Sequence, residues 1–532
     1  MSKLRIVSVV YAFIALAACI SDSPSVVARS NDAGGNANDG SVTADADTKD
    51  DGGGGSEDAE ASAPPAVGTP LGTTIFDVNG SSSAGFGGAD GTAMQKDGSL
   101  VFVGTHADAL VLRAPGAAGT TVLTPKSPRV EGYLVVLRPD GTVKWTAGVA
   151  DTGPQSPAPT TATFRAVAVD GNGDVFAIAD YVSQGSIHGP GRPDYPLTAR
   201  GSGGEAIVKF DGQTGSVKWA LELSSNQSGG VYIGRALSVV GGRILVLTNA
   251  FRGVYWNGNV TTQGSFVGLL DDGPQPTPVA YKVLGTQPAD RATTAVLAPD
   301  KTPILAGEFF STSLELGGIV LSQPSGTVTD GFIVAMQQDL SSARWAKRLE
   351  YSWAGNSNYG DQLHVSASGA EVVLSGMVKG QVICDGTNFL SKNGTMDGFI
   401  GTFDPSNGTL RAVPVFGGSG DDWVAAAEPL PNDTRLVAGT YGSPGLGVDT
   451  FMLPPPGKSG AFFYKRKGGG VPYAYAVAGV DVEASGTALL EAPSQVAYAI
   501  GAFTGTMTSA GKEYKSEGGG SKLSLFVTRI VP

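Results

Sequence analysis

EGYLVVLRPDGTVKW (131–145) and AVAVDGNGDVFAIADY (166–181) bracket the stretch whose reading decides the fold. An apolar strand meets a Pro-Asp-Gly turn and leads into a strand bearing Trp145. After a polar loop, an alternating strand meets an Asn-Gly turn and leads into a second apolar strand. Alternation, β-branched residues and Gly/Asn/Asp turns argue for hairpins rather than helices. The chain of 532 residues repeats this unit to its C-terminus.

The strand after each turn is the clearest marker. It reads LVFVGTH (100–106), VFAIADY (175–181), LVLTNAF (245–251), ILAGEFF (304–310), VVLSGMV (372–378), LVAGTYG (436–442) and AYAIGAF (497–503). Five copies place Gly at one position (Gly104, Gly307, Gly376, Gly439 and Gly501), with Ala179 and Asn249 in the others. Between the markers runs a second strand, as in GYLVVL (132–137), GFIVAM (331–336) and GFIGTF (398–403). A third follows it, with Trp145, Trp219 and Trp345 at matching places. Seven units of about four antiparallel strands predict an all-β fold, a closed seven-bladed β-propeller. Eight blades remain open if residues 182–204 hide strands. The last unit ends at LSLFVTRIVP without its Trp-type strand, and an unpaired strand, TTIFDVNG (73–80), precedes the first unit. The two are expected to pair and close the ring.

With the repeats laid out, strings such as DGFIVAMQQDLSSARWAKRL and DGFIGTFDPSNGTL resemble the β-propeller repeat of bacterial surface proteins, the SBBP type. That family pairs an acidic residue and an aromatic strand with a Gly turn, a Trp strand and a strand ending near Gly-x-Phe. The resemblance implies an exported propeller that is usually not enzymatic, and it carries no catalytic residues to transfer. FDGQTGSVKWA (210–220) also resembles the Trp-docking repeat of propellers related to quinone-dependent dehydrogenases, a family that includes outer-membrane assembly lipoproteins without cofactor.

The N-terminus reads as an address. MSKLRIVSVVYAFIALAAC has a basic start and an apolar run too short to span a bilayer, the proportions of a signal peptide over residues 1–18. Leu16-Ala17-Ala18-Cys19 resembles the lipobox of bacterial lipoproteins, which implies cleavage before Cys19, lipidation of its thiol and acylation of the new amino terminus. Acyl chains would hold the protein on a membrane. Residues 20–60 hold ten carboxylates against Arg29 and Lys49. Residues 19–68, with the lipidated Cys19 at their head, are therefore expected to form a disordered acidic tether, and residues 69–532 the propeller. Of the net charge of −12, the leader carries +2 and residues 20–60 carry −8, which leaves −6 for the body and no basic stripe for a nucleic acid.

Chemistry-bearing patterns are sparse. Two cysteines, one of them in the export signal, do not suggest a structural disulfide, and three histidines give little material for a metal centre. Asp170-Gly171-Asn172-Gly173-Asp174 starts like a Ca²⁺ loop but lacks the later ligands, and a hairpin turn is the better reading. His188 sits in a Pro/Gly loop and reads as solvated; His364 reads as a strand residue. No metal, cofactor or catalytic residue is expected. Two aromatic loops are the candidate ligand-contacting surfaces: Tyr255, Trp256 and Asn257 in VYWNGN, and Tyr351, Trp353, Asn356 and Tyr359 in YSWAGNSNYGD. Their rings could stack on sugars, or could pack between blades. The expected function is that of a lipid-anchored, non-enzymatic binding or scaffold module at the bacterial cell envelope, on the outer membrane, with an unknown protein or glycan partner. The alternatives are a glycan-processing or quinone-linked propeller enzyme and an envelope-assembly lipoprotein.

Overall fold

The computed structural model describes Val26–Val27 and residues 69–531, apart from 80–84, 87–89, 114–118, 127–128, 154–161, 183, 199–202, 224–231, 251–252, 286–289, 324–328, 352–362, 449–450, 469, 480–481, 492–495, 510 and 517–521. Cys19, Trp353, Asn356 and Tyr359 lie outside the described residues.

Seven antiparallel sheets form a seven-bladed β-propeller. The inner strands, in blade order, are Thr92–Met94, Thr163–Val169, Tyr232–Val240, Arg291–Leu297, His364–Ala367, Asp422–Leu430 and Glu483–Glu491. Each abuts the next around the axis, and the seventh abuts the first. Three further strands complete each blade outward. In blade 7 the outermost strand comes from the other end of the chain: Pro70–Asn79 pairs with Ser524–Ile530, with Thr73 opposite Thr528 and Ile75 opposite Phe526.

The long apolar runs follow from this arrangement, because both faces of every blade are buried. In blade 3, Ile244 and Val246 pack toward blade 2, whereas Leu245 and Leu247 pack toward blade 4. Seven apolar clusters result, one for each blade interface. Strict alternation sends successive side chains to opposite neighbours.

The repeated glycine has a physical reason. Gly104, Gly307, Gly376, Gly439 and Gly501 each face an aromatic residue across the sheet: Tyr133, Phe332, Phe399, Phe462 and Phe526. The inner strands of blades 2, 3, 4, 6 and 7 carry a bulge beside this pair. A Cβ on Gly439 would lie 2.3 Å from the Trp423 carbonyl oxygen and 2.4 Å from the Phe462 ring. In blade 2, Ala179 faces Ala206, so no ring competes for the space. In blade 3 the residue opposite the aromatic is Thr248, which faces Phe266; Asn249, one place later, faces Ser265. The Phe266 ring packs between Trp256 and Tyr281 there.

Residues 182–204 do contain strands, but they do not build an eighth blade. Gln184–His188 and Tyr195–Thr198 form a hairpin that extends the outer edge of blade 1. The corresponding connection of every blade carries such a hairpin. Ala109–Arg113, paired with Thr120–Leu123, latches onto blade 7, and Gln381–Cys384, paired with Thr387–Leu390, onto blade 4 in the same way. Two tryptophans add a second clasp between blades. Trp145 Nε1 donates to the Gly212 carbonyl at 3.1 Å, and Trp345 Nε1 donates to the Pro405 carbonyl at 3.0 Å. Each indole covers a left-handed glycine of the next blade, Gly215 or Gly408, where a Cβ would come within 2.5 Å of the ring.

Candidate functional site

The two aromatic loops divide once placed. Trp256 is buried, 3% exposed, and its ring centroid is 5.0 Å from that of Phe266. Tyr351 is likewise buried at the end of an outer strand, where its amide donates to Asp330 at 3.0 Å. Both belong to the packing between blades. Tyr255 is half-buried and Asn257 is exposed at a turn with φ 47°. Asn257 and Gly258 supply the positive φ that a two-residue hairpin turn requires.

Asp170-Gly-Asn-Gly-Asp174 forms a hairpin turn. Asp170 accepts the amides of Asn172 and Asp174 at 2.9 Å each, and Gly173 has φ 86°. Lys209 and Lys218 fill the surrounding space, with Lys218 Nζ 2.6 Å from Asp174 and Lys209 Nζ 2.7 Å from Asp272. No group of three or more metal-ligating side chains occurs among the described residues.

One histidine differs from its sequence reading and one agrees with it. His188 is buried against blade 1, with Nε2 3.1 Å from Glu131, rather than solvated. The added hairpin closes over it. His364 is a strand residue, as its alternation indicates, and its Nε2 lies 3.1 Å from Glu428 on the neighbouring inner strand. The acid that opens the second strand of several repeats also has a role. Asp330 and Asp397 are buried, and they accept the amides of Tyr351 at a strand end and of Lys392 in a loop. Burial raises both carboxyls above their usual range despite those bonds.

A concavity lies elsewhere, on the rim where blades 7, 1 and 2 meet. It is a groove of about 1190 Å³. Pro70–Thr74 of the closing strand form one wall, Val143–Thr146 of blade 1 the other, and Thr120–Val122 of the first hairpin the roof. The 139–142 and 212–215 turns contribute Asp140, Thr142, Gln213 and Thr214. Four cations reach it: Lys144, Arg192, Lys512 and Arg529, against the single carboxylate of Asp140. Lys144 is taken up by Asp97 at 2.9 Å. Arg192 lies 5.7 Å from the Trp145 ring centroid and donates to the carbonyls of Thr146, Thr214 and Gly215. Arg529 donates to the Pro139 carbonyl at 3.2 Å. Among the described residues, neither arginine nor Lys512 forms an ion pair with a carboxylate in the groove. Burial lowers the Arg192 pKa without discharging it, and hydrogen bonds from Thr142 keep Asp140 below the usual carboxyl range.

Sequence reasoning missed this site because its cations stand at 144, 192, 512 and 529, in strands of blades 1 and 7 and in two inserted hairpins. Ring closure alone brings 512 and 529 beside 144. Two strand edges also open into the groove. Among the described residues, 70–74 has a strand partner on one side only, as does 143–147.

No family model and no curated protein matches the chain. Solved structures with a similar course include BamB from Moraxella catarrhalis, at 11% identity over 79% of this chain and 91% of that one, with a TM-score of 0.29. Virginiamycin B lyase from Staphylococcus aureus matches at 10% identity over 68% and 94%, with a TM-score of 0.31. Quinohemoprotein alcohol dehydrogenase from Comamonas testosteroni matches at 13% identity over 70% and 59%, also with a TM-score of 0.31.

Proposed function

We propose that this protein is a lipid-anchored binding module of the bacterial cell envelope, related to the SBBP-type surface propellers, and that the rim groove is its contact surface. The anchor is Cys19 and the rigid platform is the propeller. The partner is an anionic glycan of the envelope. The observation that carries the reading is the lining of the groove: Arg192, Arg529 and Lys512, none of them in an ion pair among the described residues, threonine hydroxyls and an indole edge, on a body that otherwise carries net negative charge. Hydroxyls and Gln213 suit a polyhydroxylated chain, while Arg192, Arg529 and Lys512 suit its acidic groups. The aromatic loop with Tyr255 and Asn257 is a secondary contact.

The test has two arms. Cys19→Ala should release the protein from the membrane fraction or leave the precursor uncleaved. Dextran sulfate, used as the anionic probe, should bind the full chain with a salt-dependent affinity, and Arg529→Gln with Lys512→Glu should weaken it by roughly tenfold or more, the loss of two partly screened charge contacts. Unchanged binding in the double variant would move the contact surface elsewhere.

A further inference from the structure

Resting on that assignment of the groove, we infer that the chain's own acidic segment, residues 45–60, is the groove's resident occupant and that an external anion must displace it. The segment reads DADTKDDGGGGSEDAE, seven carboxylates against Lys49. It joins the propeller at the groove itself. The Thr69 carbonyl accepts the Val531 amide at 3.0 Å, and Pro70 and Leu71 line the wall. Residues 61–68 separate Glu60 from that point, a reach of at most about 28 Å when extended. Lys512, Arg529 and Arg192 are the cations on the same rim. Val26–Val27 pair with Thr92 and Ala93 at the inner strand of blade 1. Residues 28–68 can run from there to the rim, since that many residues extend to roughly 140 Å. A short connection gives the segment an effective concentration in the millimolar range, so weak ionic contacts suffice for occupancy. Gly52–Gly55 carries no side chains and can follow the open strand edges at 70–74 and 143–147.

Occupancy of this kind sets a threshold. Only a partner with a denser array of anionic groups than residues 45–60 gains the groove, and high salt loosens both alike.

The experiment uses the full chain and zero-length carbodiimide crosslinking, which joins a carboxylate to a lysine in contact. An equal mixture of ordinary and isotope-labelled protein separates crosslinks within one copy from those between copies. The expected result is crosslinks within one copy from residues 45–60 to Lys512 or Lys144, reduced at least fivefold in 1 M NaCl, where the screening length is about 3 Å. A variant with Asp50→Asn, Asp51→Asn, Glu57→Gln and Asp58→Asn leaves the propeller untouched and should bind dextran sulfate several-fold more tightly than the unaltered protein. Crosslinks only between copies, equal crosslinking to Lys282, Lys379 and Lys467 away from the groove, or equal dextran sulfate affinity in the two proteins would each overturn the inference. Absence of dextran sulfate binding in both proteins, with the crosslinks present, would instead overturn the proposed function of the groove and leave the segment's docking standing.

Discussion

Gly439→Ala is a test of how the blades are built. The added methyl would sit 2.3 Å from the Trp423 carbonyl oxygen and 2.4 Å from Phe462 Cζ. Ordinary carbon contacts lie near 3.5–4 Å, so both neighbours must retreat by about an ångström. The Phe462 ring can tilt, but it is buried between blades 5 and 6 with Tyr464 and Val424. The carbonyl belongs to an inner strand whose bulge is fixed by pairing on either side, Val424 with Gly439 and Ala426 with Ala438. Overpacking of this kind costs about 1–3 kcal/mol. Gly307→Ala and Gly501→Ala face the same geometry, with carbonyl oxygens of Arg291 and Ser485 at 2.1 and 2.3 Å.

Gly369→Ala is the control, because nothing lies within 4 Å of its Cβ position and it does not occupy the left-handed region. It should leave stability unchanged within about 0.5 kcal/mol or raise it slightly through the unfolded chain. Chemical denaturation midpoints of the three variants and the control are the assay. Phe462→Leu combined with Gly439→Ala should recover only part of the loss, since the ring clash is relieved and the carbonyl clash remains; such coupling between neighbours is measured by the double-mutant cycle. Full recovery, or a Gly439→Ala midpoint equal to that of Gly369→Ala, would refute the reasoning.

The clasp tryptophans should differ. Trp345→Phe removes the hydrogen bond to Pro405 and should cost about 0.5–1.5 kcal/mol more than Trp145→Phe, because the Gly212 carbonyl still accepts Gln95 Nε2 at 3.1 Å; equal unfolding midpoints would contradict this. Glu205 and Asp180 are buried together between blades 2 and 3. Burial, followed by repulsion from Asp180, raises the Glu205 carboxyl well above its usual range. A raised carboxyl pKa favours the folded state most at low pH, and that contribution is lost as pH rises from the unfolded value through the folded one. Glu205→Gln should therefore be more stable than the parent by a margin that grows from pH 5 to pH 8, and a constant margin would exclude the effect. Burial pushes the Cys384 thiol up to about 12, so iodoacetamide should leave its peptide unmodified until the protein unfolds.

The propeller was legible because its determinants are local and repeated. A seven-fold recurrence of strand, turn and strand survives the loss of any one motif, and the blade count can be read from the markers even where Gly is replaced. The marker itself misled at Asn249, since position was judged by alignment of a glycine that blade 3 lacks; pairing places Thr248 opposite the aromatic. The added hairpins were hidden for the opposite reason. Segments such as QGSIHGPGRPDYPLT are short, polar and Gly/Pro-rich, and they become strands only because an outer edge of the previous blade is there to pair with. His188 was misread with them, since its burial depends on that docking. The aromatic loops show the limit of composition: Trp256 and Tyr351 look like a sugar platform in sequence and are core in space, because a ring beside a turn is equally suited to closing a blade interface. The groove had no signal at all, being a product of closure between residues more than 300 apart.

That dependence on closure gives the groove a measurable link to the fold. Its wall at Pro70–Thr74 is the strand that completes blade 7, held there by pairing with Ser524–Ile530 and by Phe76 packing 5.0 Å from Phe102 of blade 1. A ligand seated between this wall and blade 1 binds only when the strand is in place. At a hundredfold excess over its dissociation constant such a ligand stabilises the closed state by about 2.7 kcal/mol. Hydrogen exchange reads this directly. Dextran sulfate should slow exchange of amides 70–79 and 524–530 by up to about a hundredfold where they exchange through opening of the closing strand, and leave the inner strands of blades 3–5 unchanged unless they open with the whole ring. Even protection over all blades, at amides that exchange by local opening, would mean that the ligand stabilises the ring without touching its seam, and protection confined to the 254–260 hairpin would place the contact on the aromatic loop instead. Only protection concentrated at the seam is compatible with a groove that exists because the two ends of the chain meet.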